Sequence, residues 1–234
     1  MYGAASKGMY TFIKHFAFND QENHRGDRPG QYSVSTWINE QSAREIYLLP
    51  FEMSMKSGDV ELNYVKKNED CKYENKTREI RVAQGVMTAF NRIGYTWTGG
   101  SYSLITGILR NEWAFNGFVI TDNANTGEFM DGYQMIEAGA DGKLTYGYKE
   151  YARFDFNEND VATYHYGRKA MHRMLYTVVN SKAMNGAMPG SIFVDTVPFT
   201  DKFILGVNII CPILIGLIVF LNVRRFRRKN VKVQ

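Results

Sequence analysis

The stretch NGFVITDNAN places an acid, Asp122, directly after the apolar run Phe118–Thr121 and before small polar residues. Two roles suit a carboxylate there. It can open a turn or cap a following helix, or it can stand at the mouth of an α/β barrel, where strand ends present catalytic groups. The motif by itself leaves both open. Upstream, Lys14 and His15 are adjacent near the end of another apolar run, and Arg25 follows eleven residues after Lys14. Taken singly, Lys14 reads as a surface lysine with a buried stem and His15 as a satisfied core histidine. Cys71 lies in a hydrophilic segment and Cys211 in a long apolar run, so the two do not form a pair. No CxxC, zinc-ligand spacing or disulfide framework is present.

The elements that must position these residues alternate short apolar runs with amphipathic segments, the pattern of βα units. Strands are expected at Met9–Phe16, Gly85–Phe90, Phe118–Thr121 and, more weakly, Lys143–Tyr146. A helix over Ile38–Lys56 has Ile46, Leu49 and Met53 at helical spacing, is kinked or divided by Pro50 and stops at Gly58. Ser101 can cap a helix through Leu104, Ile105, Ile108 and Leu109. A short helix follows at Met130–Ala138. A long one at Asp160–Asn185 is apolar at Met171, Met174, Leu175, Val178 and Val179 and ends at Gly186. The stretch 59–81 mixes both charge signs and reads as a solvated hairpin or surface insertion. It includes the sequon Asn75-Lys76-Thr77, a match that is common by chance.

The chain has 234 residues, 44% hydrophobic, and a formal net charge of +4. Six of its Lys and Arg residues fall in 224–234, a segment without acids; the rest carries 22 basic and 24 acidic residues, a net of −2. The basic balance is a property of the tail, which argues against a nucleic-acid face.

Residues 203–223 form an uncharged run, FILGVNIICPILIGLIVFLNV, long enough to cross about 30 Å of hydrocarbon as a helix. The cluster RRFRRK that follows is of the kind retained in the cytoplasm. The body is then expected outside the cell membrane. The first residues, MYGAASKGMYTFIKHF, lack the regions of a signal peptide, so the chain is expected to be the C-terminal part of a longer one. The competing arrangement is a tail-anchored protein with a cytoplasmic body. The expected division is a body at 1–186 with the charged insertion 59–81, a linker at 187–202, a transmembrane helix at 203–223 and a basic cytoplasmic tail at 224–234.

Five segments in order carry a specific likeness: KHFAFNDQENHR, SAREIYLLPFEMSMKSG, VMTAFNRIG, LRNEWAFNGFVITD and IEAGADGKL. Together they resemble the barrel domain of glycoside hydrolase family 3, which includes many β-glucosidases. The likeness spans most of residues 8–185. It implies an α/β fold, a partial (β/α)8-type barrel of about four βα units, since a closed barrel needs eight strands.

The resemblance also implies roles. Asp122 aligns with the catalytic nucleophile. Lys14 and His15 align with the pair that hydrogen-bonds sugar hydroxyls, Arg25 matches a further sugar-binding arginine, and Met87 and Phe90 lie on the strand lining the same subsite. Retaining hydrolysis needs one carboxylate to attack the anomeric carbon and a second to protonate the departing oxygen. A nearby lysine and arginine favour the ionised nucleophile, and the same cations with the imidazole donate hydrogen bonds that orient the sugar. The implied substrate is a β-linked oligosaccharide or glucoside, with glucose the expected sugar and xylose an alternative.

Three departures stand out. Asn123 occupies the place of a tryptophan that walls the sugar, and Phe90 that of a tyrosine. The acid/base is not found: KHFAFNDQ differs from the KHFPGHG-like loop that precedes a His–Asp pair in one branch, and no sandwich domain bearing a glutamate fits in the remaining residues. Glu128 and Asp131 follow Asp122 closely, but cap and surface roles suit them better. In members with swapped domain order the barrel comes last, which suits a barrel followed by a membrane helix. The upstream part of the polypeptide, or a partner domain, would then supply the acid/base. The alternative is a non-catalytic, degenerate barrel acting as a membrane-tethered sugar-binding or scaffold protein.

Overall fold

A computed structural model describes residues 1–23, 25, 33–124, 129–145, 159–184 and 196–230, with backbone alone at 228–230. It divides into two units, Met1–Pro189 and Gly190–Gln234.

The first unit begins with a short helix, α1 (Tyr2–Ala5), and strand β1 (Phe12–Phe16). Met9–Thr11, expected to belong to that strand, lie outside it. After the small strand β2 (Ser35–Thr36) comes a helical run, α2, over 40–55. Asn39 caps it, its side chain accepting from the Ser42 N–H at 2.8 Å. The segment Ala43–Leu48 is wound as a π-helix, and regular α-helix resumes at Leu49 with Pro50 in its first turn. The helix is thus not broken at Pro50; the winding changes between Leu48 and Leu49, just before the proline, which has no N–H to donate to the preceding turn. The charged stretch forms an antiparallel hairpin, β3 (Asp59–Lys67) with β4 (Tyr73–Arg81), paired from Asp59↔Arg81 to Lys67↔Tyr73. Leu62 and Ile80 bury its inner face.

Strand β5 (Gly85–Thr88) is followed by β6 (Arg92–Ile93) and β7 (Thr96–Trp97), which join β2 in a three-stranded sheet not foreseen from sequence. Helix α3 (Ser103–Glu112) is π-wound, and the Leu104 N–H reaches Ser101 Oγ at 3.4 Å, the expected capping residue. Strand β8 covers Phe118–Asn123, so Asp122 belongs to the strand end itself. Helix α4 (Gly132–Ala138) is capped by Asp131, whose Oδ1 accepts from the Gln134 N–H at 2.7 Å. Glu128 lies outside the described residues. Strand β9 is Gly142–Leu144; Thr145, expected in this strand, lies outside it, and Tyr146 lies outside the described residues. Helix α5 (Val161–Val179) is capped by Asp160 and ends at Asn180, short of the expected Asn185; Gly186 lies outside the described residues.

The central sheet has the order β1-β5-β8-β9 with every pairing parallel. Strand order follows the chain, as expected of successive βα units. The core gathers Phe16, Val86, Val119, Trp97, Ile105, Leu109 and Met135.

The outer helices correct one expectation. Ile46, Leu49 and Met53 on α2, and Met171, Leu175 and Val179 on α5, are exposed. The buried positions are Leu48 and Met55 on α2 and Thr163, Ala170 and Thr177 on α5. These helices follow the two edge strands, so each has a neighbouring βα unit on one side only.

The second unit contains α6 (Phe199–Asn230). Over Phe199–Arg227 its most apolar window has a mean hydropathy of 2.8, and it is long enough to cross a membrane. Thirty-two residues extend about 48 Å at ~1.5 Å per residue. Residues 199–202, expected in the linker, are helical because Pro198 starts the helix, its carbonyl accepting from the Asp201 N–H at 3.1 Å. The helix also continues past 223 into the basic segment, where cations favour a helix C-terminus. Residues 187–195 of the expected linker lie outside the described residues.

Candidate active site

The C-terminal ends of β1, β5 and β8 place Lys14 and His15, Met87, and Asp122 and Asn123. Strand pairing fixes their level: Phe16 pairs with Thr88, and Met87 with Ile120. Side-chain period two alone would not bring β1 and β8 together, because β5 lies between them. The pairing of β1 with β5 shifts register between Ile13 and Phe16, where Lys14 and His15 sit.

His15 and Asp122 meet across that gap. His15 Nε2 lies 3.3 Å from Asp122 Oδ2. Asp122 is 9% exposed. Its Oδ1 accepts from the Asn123 N–H at 2.7 Å, while Oδ2 is buried without a hydrogen bond of good geometry among the described residues, the histidine being within ion-pair reach only. The carboxylate is therefore held by one oxygen and available at the other. Thr121 secures its backbone: Thr121 Oγ1 donates to the Asp122 carbonyl at 2.7 Å and accepts from the Leu144 N–H at 3.0 Å.

Around His15 the loop after β1 closes on itself. Asn19 Nδ2 lies 3.3 Å from His15 Nδ1, and Arg25 Nη1 donates to Asn19 Oδ1 at 3.1 Å. Glu22 holds Arg25 at 2.7 Å. The Arg25 guanidinium stacks over the Phe90 ring at 5.3 Å, joining this loop to the one after β5. Burial pushes the His15 imidazole below its usual pKa; Asp122 opposes this, Lys14 and Arg25 add to it, and Glu22 opposes it. Desolvation disfavours the charged ring. Lys14 is exposed and, with His15, Phe18, Asn19, Asp20, Tyr47 and Phe51, borders a cavity of about 420 Å³.

Of the residues singled out in the sequence, the structure brings His15, Asp122 and Asn123 into contact, and joins Arg25 to Phe90 and, through Asn19, to His15. Lys14 lines the adjoining cavity. Met87 is half-buried on β5 between them. Asn19 and Glu22 were missed. Their signal was present in KHFAFNDQENHR, but side-chain amides in loops carry no periodicity that marks them.

A second polar centre braces the opposite end of the strands. Asp141, just before β9, accepts from Arg110 Nη2 at 2.8 Å, Arg173 Nη1 at 3.0 Å and the Val119 N–H at 2.8 Å. Arg110 also donates to the carbonyls of Gly139, Phe115 and Gly117. Burial pushes the Arg110 guanidinium down to about 10 and raises Asp141 above the usual carboxylate range, although both arginines oppose the latter. This centre ties α3, β8, β9 and α5 together at the N-terminal ends of the strands, where stabilising residues rather than catalytic ones gather.

No protein-family model matches the chain. It is 33% identical over 139 residues to the Probable beta-glucosidase I of Aspergillus flavus, a match covering 59% of this chain and 13% of that protein. Its fold is similar to that of the Kluyveromyces marxianus β-glucosidase, with a TM-score of 0.56 at 21% identity over 81% of this chain and 20% of that one. The GH3 β-glucosidase of Bifidobacterium adolescentis matches with a TM-score of 0.52 at 22% identity, over 82% of this chain and 24% of that one. The chain thus spans about an eighth of the length of the curated relative and shares the α/β fold of a fifth to a quarter of these structures.

Proposed function

We propose that the chain is part of a membrane-anchored glycoside hydrolase of the family 3, β-glucosidase type, hydrolysing terminal β-D-glycosides with retention through a glycosyl ester on Asp122. The observation that carries this reading is the buried Asp122 carboxylate at a strand C-terminus, with Oδ2 free of a bound donor among the described residues and His15 Nε2 3.3 Å away. Sequence similarity to a β-glucosidase supports it.

In this reaction Asp122 Oδ2 attacks the anomeric carbon as the bond to the aglycone oxygen breaks, and a second carboxylic acid protonates that oxygen. Water then cleaves the ester. His15, Lys14 and Arg25 donate to hydroxyls of the sugar, Met87 and Phe90 border it, and Asn123 stands where an aromatic wall would be. The four βα units belong to a (β/α)8 barrel, and the exposed outer faces of α2 and α5 support further units beside them. The acid/base comes from outside this chain, so the chain alone turns over little substrate. Helix α6 crosses the cell membrane once, leaving the catalytic part outside and the basic end in the cytoplasm.

Mechanism-based labelling with a 2-fluoro-β-glucosyl fluoride tests the central claim on the natural polypeptide containing this chain. A glycosyl adduct on Asp122 is expected. Hydrolysis that persists in Asp122→Asn, with no adduct at Asp122, would refute it. With the chain alone, appreciable turnover of a fluorogenic β-glucoside that Asp122→Asn abolishes would refute the need for an outside acid.

Asn123 and Phe90, which remove an aromatic wall and a hydroxyl, favour a second reading, a sugar-binding or scaffold barrel without catalysis. Sugar binding by the full polypeptide without any adduct on Asp122 would select it.

A further inference from the structure

The hydrogen-bond pattern around His15 determines which of its ring nitrogens carries the proton. Arg25 is a donor only, so the Asn19 atom it meets at 3.1 Å must be the carbonyl oxygen. The Glu22 carboxylate accepts, and the Asn19 atom 3.4 Å from its Oε1 must be the amide nitrogen. A donor and an acceptor, themselves ion-paired, therefore orient the amide the same way. Its NH2 then faces His15 Nδ1 at 3.3 Å, and that contact is favourable only if Nδ1 is a bare acceptor.

We infer that Asn19 is a positioning residue that holds His15 in the neutral tautomer protonated on Nε2, which leaves that N–H beside the Asp122 carboxylate to donate to a sugar hydroxyl. This rests on the reading of Asp122 and His15 as the sugar-cleavage site. An imidazolium would present a second N–H to the amide NH2, two donors face to face. The groups around the ring are Asp122, Glu22, Lys14 and Arg25; burial with the two cations disfavours the imidazolium, and the two carboxylates do not reverse this. His15 is thereby a fixed hydrogen-bond donor and not the missing acid. Arg25, itself held by Glu22 and the Phe90 ring, clamps the amide. The order Phe90, Arg25, Asn19, His15, Asp122 makes one continuous chain from the β5 loop to the end of β8.

Nitrogen-15 NMR of the whole chain in detergent micelles, labelled at histidine, tests this. The His15 signals are those lost in His15→Gln. At neutral pH the expected pattern is an unprotonated Nδ1 and a protonated Nε2. Asn19→Asp, nearly isosteric but acceptor-only, is expected to draw a proton to Nδ1 and raise the titration midpoint of His15 by about one pH unit or more. A purely structural role for Asn19 would leave both readings unmoved. A wild-type ring protonated on Nδ1 overturns the inference even if Asn19→Asp fails to fold. So does a folded Asn19→Asp protein with an unchanged His15 spectrum. Failure here with an intact adduct on Asp122 leaves the glycosidase reading standing; the expected tautomer without an adduct does the reverse.

Discussion

His15 on β1 and Asp122 on β8 touch at 3.3 Å over the end of the strand that separates them, β5. Neighbouring strands stand about 4.8 Å apart, so this contact spans roughly twice that spacing. Only side chains at the strand ends, aimed toward one another, can make it. On the proposed glycosidase reading, the contact bears directly on turnover. In the full polypeptide, His15→Ala removes a donor to the charged or hydroxylated partners, worth about 1.5–3 kcal/mol. The expected fall in kcat/KM is about 10- to 100-fold, read from β-glucoside kinetics.

Folding should respond to pH through the same histidine. Its folded pKa lies below the ordinary value of 6.5, so the unfolded chain binds more protons in that window. The contribution is fully present above about pH 6.5 and is lost as pH falls through the folded pKa. Urea unfolding of wild type against His15→Gln should show the wild type losing more stability below pH 6.5. The effect is small because the ring is only partly buried.

The Asp141 centre should be costly to break. Asp141→Asn leaves Arg110 and Arg173 facing an uncharged amide in a buried place. Removing one partner of such a group typically destabilises by about 3–5 kcal/mol. Denaturant unfolding of the chain in detergent checks this, with an intact His15–Asp122 geometry expected in any variant that still folds.

Phe90 separates shape from chemistry. Phe90→Leu removes the ring under Arg25, a contact worth about 0.5–1 kcal/mol when partly exposed. Phe90→Tyr keeps the ring and adds a hydroxyl. Thermal stability is expected to fall more for the first than for the second, whose added hydroxyl must still be accommodated at a ring only 4% exposed.

The proposed membrane span of α6 can be tested directly. An arginine in place of Ile213, near the middle of the apolar run, costs about 2.5–3.5 kcal/mol for insertion. The Ile213→Arg variant is expected to shift from the carbonate-resistant membrane fraction toward the soluble one. An unchanged distribution would contradict a span centred there.

Much of the architecture was legible because its signals are local. Apolar runs marked the four central strands, and Asp131 and Asp160 cap helices α4 and α5 through bonds only two to three residues away. The same short range explains the apolar span that became α6, and the placing of Asp122 at a strand end. What the sequence by itself determined, then, is which segments become strands or helices, and which residue types stand at their ends. The tertiary structure decided three further things. It chose which faces of α2 and α5 are covered, because helical spacing reports an apolar stripe without naming a neighbour. It assembled the centre at Asp141 from Arg110 and Arg173, residues 31 and 32 positions away in opposite directions. And it set Asn19 between Arg25 and His15, where a loop amide acquires its meaning only from the donor on one side and the acceptor on the other.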